Sequence, residues 1–116
     1  MTTTNRAATI AALNDALRHD PGTGEYGRIV MTHGVSELGI PFAMQALAKL
    51  KAFDAFTKDN DPYGERDFGS FELDGQKLFW KIDYFEKGSD YMAGAETPDD
   101  RATTDRVLTV MLAEEY

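Results

Sequence analysis

The sequence predicts an α+β domain in which a small antiparallel sheet, a central β-hairpin plus one further strand, packs with about three helices. Three observations predict it. "DFGSFELDGQKLFWKIDYFE" alternates side chains about an Asp-Gly pair, the pattern of two strands joined by a tight turn. Two other stretches repeat apolar residues at helical intervals. At 116 residues with 42% hydrophobic side chains, the chain suits one core, so residues 1–116 are read as a single domain.

The first helix is expected over residues 5–18. Thr4 or Asn5 can cap it, because a side-chain oxygen there accepts an orphan backbone N–H. Ile10, Leu13 and Leu17, with Ala16, form its buried stripe. "HDPGTGEYG" ends it as a loop. "RIVMT", residues 28–32, is short, apolar and β-branched and reads as a strand, after which His33-Gly34 turns the chain. A second helix starts near Pro41, a residue tolerated in the first turn, where its missing N–H has no partner to lose. Phe42, Ala46, Leu47, Leu50 and Phe53 form its inner side.

The hairpin is the clearest element. Asp74-Gly75 suits a type I′ turn, whose two central residues need positive φ. That turn sets Leu73 opposite Gln76, Glu72 opposite Lys77, Phe71 opposite Leu78, Ser70 opposite Phe79 and Gly69 opposite Trp80. Phe71, Leu73, Leu78, Trp80, Ile82 and Tyr84 then share the core face, and Gly69 leaves room beside the indole. Phe68, Phe79 and Phe85 share the other face with Glu72, Lys77, Lys81 and Asp83. Glu72 and Lys77 are placed to form a cross-strand ion pair. The last element is expected to be a helix from near Pro98 to about Glu115, with a strand over "RATTDRVLTVML" as the alternative.

Composition excludes several function classes. With no cysteine there is no disulfide, thiolate nucleophile or zinc-thiolate site. No apolar run is long enough for a membrane span, and the N-terminus lacks the continuous apolar segment of a signal peptide, so a cytoplasmic protein is expected. The net charge of −8 argues against direct binding to a phosphate backbone, where affinity comes from Lys and Arg. The same charge suits solubility, a basic partner or mimicry of nucleic acid.

The segment "KDNDPYGERDFGSFELDG", residues 58–75, concentrates the chemistry. From Asp54 to Asp74 there are seven acids and two bases. It partly imitates a calcium-binding EF-hand loop, but Tyr63 stands at the fifth ligand position and Ser70 at the twelfth, where a bidentate Glu is needed. A less regular cluster of Asp59, Asp61, Glu65 and Asp67 is the candidate metal site, because hard cations take carboxylate oxygens. It would support a metal-dependent hydrolase. Against it, Asn, Asp, Pro and Gly are also the ordinary residues of turns and caps, so the loop by itself reads first as solvated and next as a partner-facing acidic patch.

Other motifs carry less. His19 and His33 lack metal-ligand spacing, and "SELG" and "GSFE" are not nucleophile elbows. "GTGEYG" has glycines but no following Lys-Ser/Thr, so it is a poor phosphate loop. No motif calls for a cofactor. Phe79 and Phe85 flank Lys81 on the second hairpin face, an arrangement that suits a protein-binding patch or a homodimer contact.

"NDPYGERDFGSFELDG", "FWKIDYF" and "RVLTVMLAEEY" resemble the signature stretches of a bacterial family classed only as a domain of unknown function. The resemblance runs from "LNDALR" to Tyr116, with the three motifs in the family's order. It implies a small, soluble, single-domain protein, often encoded near plasmid or other mobile-element genes, and it transfers no activity, ligand or catalytic residue. The expected function is a non-enzymatic protein-binding domain, as an inhibitor or acidic mimic acting on a nucleic-acid-handling or defence protein. Its expected contact residues are Asp59, Asp61, Glu65, Asp67, Phe79, Lys81 and Phe85. The alternative is the metal-dependent hydrolase.

Overall fold

A computed structural model describes residues 3–116, with side chains from Arg6 onward except at Pro21. The element order is α1 (Thr3–His19), a 3-10 turn (Pro21–Thr23), β1 (Arg28–Met31), α2 (His33–Ser36), α3 (Ile40–Ala52), β2 (Phe68–Leu73), β3 (Gln76–Glu86), β4 (Thr104–Leu112) and a closing 3-10 turn (Ala113–Glu115). The class is α+β, as the hydrophobic periodicities require. The capping expected of Thr4 or Asn5 lies outside the described side chains.

The four strands lie in the order β1-β4-β3-β2. The hairpin register is the expected one, with Phe71 opposite Leu78 and Gly69 opposite Trp80. Asp74 and Gly75 both take positive φ, of 51° and 76°, as a primed turn demands. Glu72 stands opposite Lys77, but the Lys77 ammonium lies 5.3 Å from the centroid of the Phe79 ring.

The expected C-terminal helix is corrected by the structure. Thr104–Leu112 is a strand, paired antiparallel to β3 and parallel to β1. The sheet is therefore mixed, with four strands where an antiparallel three were expected. The third helix is the single turn α2, which starts at His33 where a simple turn was expected. The cause lies in β4's position between two neighbours. A central strand is apolar on both faces, so Leu108, Val110 and Leu112 alternate with Val107 and Met111 and hide the period of two. Nine consecutive residues paired to β3 outweigh the helical reading.

All three helices cover one face of the sheet. Leu17 of α1, Val35 of α2 and Phe42, Ala46 and Leu50 of α3 pack against Leu73, Leu78, Trp80, Ile82, Leu108, Val110 and Leu112. Leu13 and Ala16 are only half-buried, and Asn14 and Arg18 take the inner positions of α1 in their place. A Cβ on Gly69 would fall 2.5 Å from the Trp80 Nε1 and 2.6 Å from Phe53 Cζ. The empty place beside the indole is thus a packing requirement. Phe53 and Phe56 close over Trp80 edge-on, at 5.5 and 6.1 Å between centroids.

Candidate functional site

The opposite face of the sheet is covered by no helix among the described residues. By strand alternation it presents Arg28 and Val30 from β1, Asp105, Val107, Thr109 and Met111 from β4, Phe79, Lys81, Asp83 and Phe85 from β3, and Phe68 from β2. Its two ends are closed by aromatic stacks. At one end Tyr116, from the closing turn, meets Phe68 and Phe79 at 5.8 and 5.1 Å between centroids. At the other, Tyr91 meets Phe85 at 5.7 Å. Between them Val30, Val107, Thr109 and Lys81 remain half-exposed. Two shallow hollows lie here, one lined by Val30, Phe85, Tyr91 and Val107, the other by Thr32, Lys81, Thr109 and Tyr116. Lys81 pairs with Asp83 on the same face at 3.2 Å.

The closing turn is fixed by Glu115. Its carboxylate accepts hydrogen bonds from Thr32 Oγ1 at 2.6 Å, Leu112 N at 2.8 Å and Gly34 N at 3.1 Å. The Thr32 bond first, then the Leu112 amide, hold its carboxyl below the usual Glu range. This one side chain ties the chain's end to the start of α2 and so holds Tyr116 over Phe79.

The acidic loop lies elsewhere and is occupied with internal bonding. Asp61 Oδ1 accepts the Arg66 amide at 2.9 Å and holds Arg66 at a φ of 57°. Asn60 closes the preceding turn by accepting from Thr57 N and donating to Ala55 O. The Glu65 carboxylate accepts from Tyr84 Oη at 3.1 Å, and its carbonyl accepts from Asn14 Nδ2 at 2.9 Å. Asp67 is half-buried, and burial first, then the charge of Glu65, push its carboxyl up. Asp59 is exposed. Among the described residues no group of three His, Asp or Glu side chains is placed to hold a metal ion, so the four carboxylates are not gathered as a cation site.

The seven candidate residues therefore fall into two places. Phe79, Lys81 and Phe85 share the open face, whereas Glu65 and the loop it belongs to bond to groups on the helix-covered side. The two places share a border, because the loop feeds directly into β2, the edge strand, which carries Glu72 near its end and runs into Asp74 of the turn.

Behind the loop is a polar network that no motif announced. Asn14 is fully buried and Arg106 is 1% exposed. Arg106 Nε donates to Asn14 Oδ1 at 2.6 Å, and its Nη2 donates to the Pro98 carbonyl. Asn14 Nδ2 also reaches Tyr84 Oη at 2.8 Å. Burial pushes the Tyr84 phenol up and the Arg106 guanidinium down. Arg18 reaches the C-terminal carbonyls of α3, donating to Leu50 O at 3.1 Å and Phe53 O at 2.9 Å. Asp15 bridges Arg18 and Arg66 at 2.6 and 2.9 Å. The signal available in sequence was Asn14 lying four residues after Ile10 and three before Leu17, on the buried stripe itself.

No helix among the described residues is long and apolar enough to cross a membrane. A family model described as "Protein of unknown function (DUF3768)" matches residues 31–115, well over half of the chain, a span that holds the first two stretches that carry the resemblance and the third as far as Glu115. No curated protein and no solved structure matches.

Proposed function

We propose that this chain, which belongs to that family of unknown function, is a non-enzymatic protein-binding domain that docks through its open sheet face on a basic partner. The observation that carries the reading is the one-sidedness of the sheet. Three helices bury one face, while the other keeps Phe79 and Phe85 as aromatic anchors at its ends and a half-exposed middle of Val30, Lys81, Val107 and Thr109. Aromatic anchors rimmed by polar groups are the composition of binding hot spots.

The acidic run from Asp54 to Asp74 borders this face along its edge strand and, with the net charge of −8, supports a basic partner. Long-range attraction of that kind steers encounter and discriminates among partners more than it adds affinity. A nucleic-acid-handling protein offers the matching basic surface, and the domain would then act on it as an inhibitor or acidic mimic.

The test is lysine footprinting in a host lysate. Lys77 and Lys81 should lose reactivity towards an acylating reagent when the partner is bound, while Lys49 and Lys51 on α3 keep theirs. Protection of the α3 lysines with Lys81 still reactive would place docking on the other side and end this reading.

A further inference from the structure

A second site lies at the start of β1 and β4, where it borders the open face through Arg28, Asp105 and Tyr91 but rests on a different observation from the docking reading. Here the glycine-rich loop after α1, β1's first residue and the loop after β3 enclose a cleft of about 250 Å³. Four of the chain's twelve basic residues line it, Arg28, Lys87 and Arg101 together with the buried Arg106. In a chain of net charge −8 that is a local reversal of sign, opposed in the cleft by Glu25 and Asp105.

Arg28 and Arg101 are held in place by aromatic rings. The Arg28 guanidinium lies 5.4 Å from the Tyr91 ring centroid and donates to Tyr91 Oη at 3.4 Å. The Arg101 guanidinium lies 5.2 Å from the Tyr26 ring and pairs with Glu25 at 3.0 Å. Tyr91 is presented by two consecutive left-handed residues, Asp90 at φ 60° and Tyr91 at φ 62°. Such conformations are uncommon in non-glycine residues and concentrate at functional sites. Gly27, at φ 140°, lets the loop lie directly on β4, since a Cβ there would fall 2.4 Å from Arg106 O. The wall of the cleft is therefore fixed by backbone packing as well as by side chains.

We infer that this cleft binds a small phosphomonoester, a sugar phosphate or a mononucleotide. A guanidinium fork matches phosphate oxygens in a bidentate geometry, and an ammonium beside it supplies a point charge. Holding Arg28 and Arg101 on rings lowers the entropy lost when they close on the anion. At about 250 Å³ the cleft has room for a phosphate with its sugar ring, and the base of a mononucleotide would extend beyond it. Glu25 has the opposite effect: its carboxylate occupies Arg101 and repels a dianion, so it lowers affinity and narrows the range of anions admitted.

The experiment titrates the whole chain with inorganic phosphate, ribose 5-phosphate and adenosine 5′-monophosphate, followed by amide NMR shifts and thermal unfolding. The esters should move the amides of residues 24–28 and 87–91 and raise the melting temperature. Arg101→Gln and Lys87→Gln should each weaken ester binding by about tenfold or more, the effect of losing a charge-assisted hydrogen bond. Glu25→Gln should tighten it. A tighter response to ribose 5-phosphate assigns the sugar phosphate, and a tighter one to the nucleotide assigns the base-bearing ligand. No response to either ester, equal affinity for inorganic phosphate, or binding unchanged in both Arg101→Gln and Lys87→Gln would overturn the assignment.

Discussion

The two faces of the sheet are built from the same strands and do different work. On the helix side, Leu78, Trp80, Leu108 and Val110 are each 0% exposed, and the polar cluster of Arg106 and Tyr84 is hydrogen-bonded through Asn14. On the other side, neighbouring positions in those strands, Phe79, Lys81, Val107 and Thr109, are half-exposed and mix aromatic, charged and β-branched side chains. A period of two places stability on one side and contact on the other. The comparison teaches that mutations one residue apart should separate cleanly into folding effects and binding effects.

The largest expected effect is on the covered face. Trp80→Ala should lower unfolding free energy by about 3–5 kcal/mol in chemical denaturation, the cost of a large core cavity. Asn14→Ala should follow, at about 2–3 kcal/mol, because it leaves the buried Arg106 Nε without its acceptor and the Glu65 carbonyl without its donor. Gly69→Ala should cost about 1–3 kcal/mol by forcing the indole and Phe53 apart. An Asn14 variant as stable as wild type would show that the network is incidental to the fold.

On the open face, Phe85→Ser should change stability by no more than about 1 kcal/mol, the scale of a lost aromatic pair. A loss as large as that of Trp80→Ala would erase the distinction between the faces.

The smallest effect concerns Asp67, whose folded-state carboxyl is raised by burial and then by Glu65. A raised acid destabilises the fold when ionised, so its penalty is present above the folded pKa and is relieved as pH falls through that value towards the ordinary Asp range. Asp67→Asn should therefore be more stable than wild type at neutral pH, and the gap should close in melts taken down to about pH 4. A gap that widens with acid would reverse the assignment.

These contrasts also explain what could be read in the sequence. The hairpin was legible to the residue because Asp74-Gly75 is a local turn signal, and a turn fixes every pairing beyond it. α1 and α3 were legible from their apolar spacing, within two residues at the boundaries. β4 was not, because its neighbours on both sides are distant in sequence and Arg106 stands on its inward face. The partners of Arg106, Asn14 and Pro98, become visible only once α1 and the loop before β4 are folded together. Of the candidate residues, Phe79, Lys81 and Phe85 were placed on one face by alternation alone. The acidic loop looked like a site because turn residues and ligands share the same chemistry, and Asp61, Asn60 and Glu65 prove to bond to their own backbone and to Tyr84.

The most direct measurement is capture of a partner from host lysate by three immobilised proteins: wild type, Phe79→Asp/Phe85→Asp on the open face, and Met44→Asp on the exposed side of α3. All three are first checked for equal folding by circular dichroism. The account predicts a salt-sensitive partner held by wild type and by Met44→Asp and lost from the double variant. Retention by the double variant, or loss by Met44→Asp alone, would contradict docking through the open face.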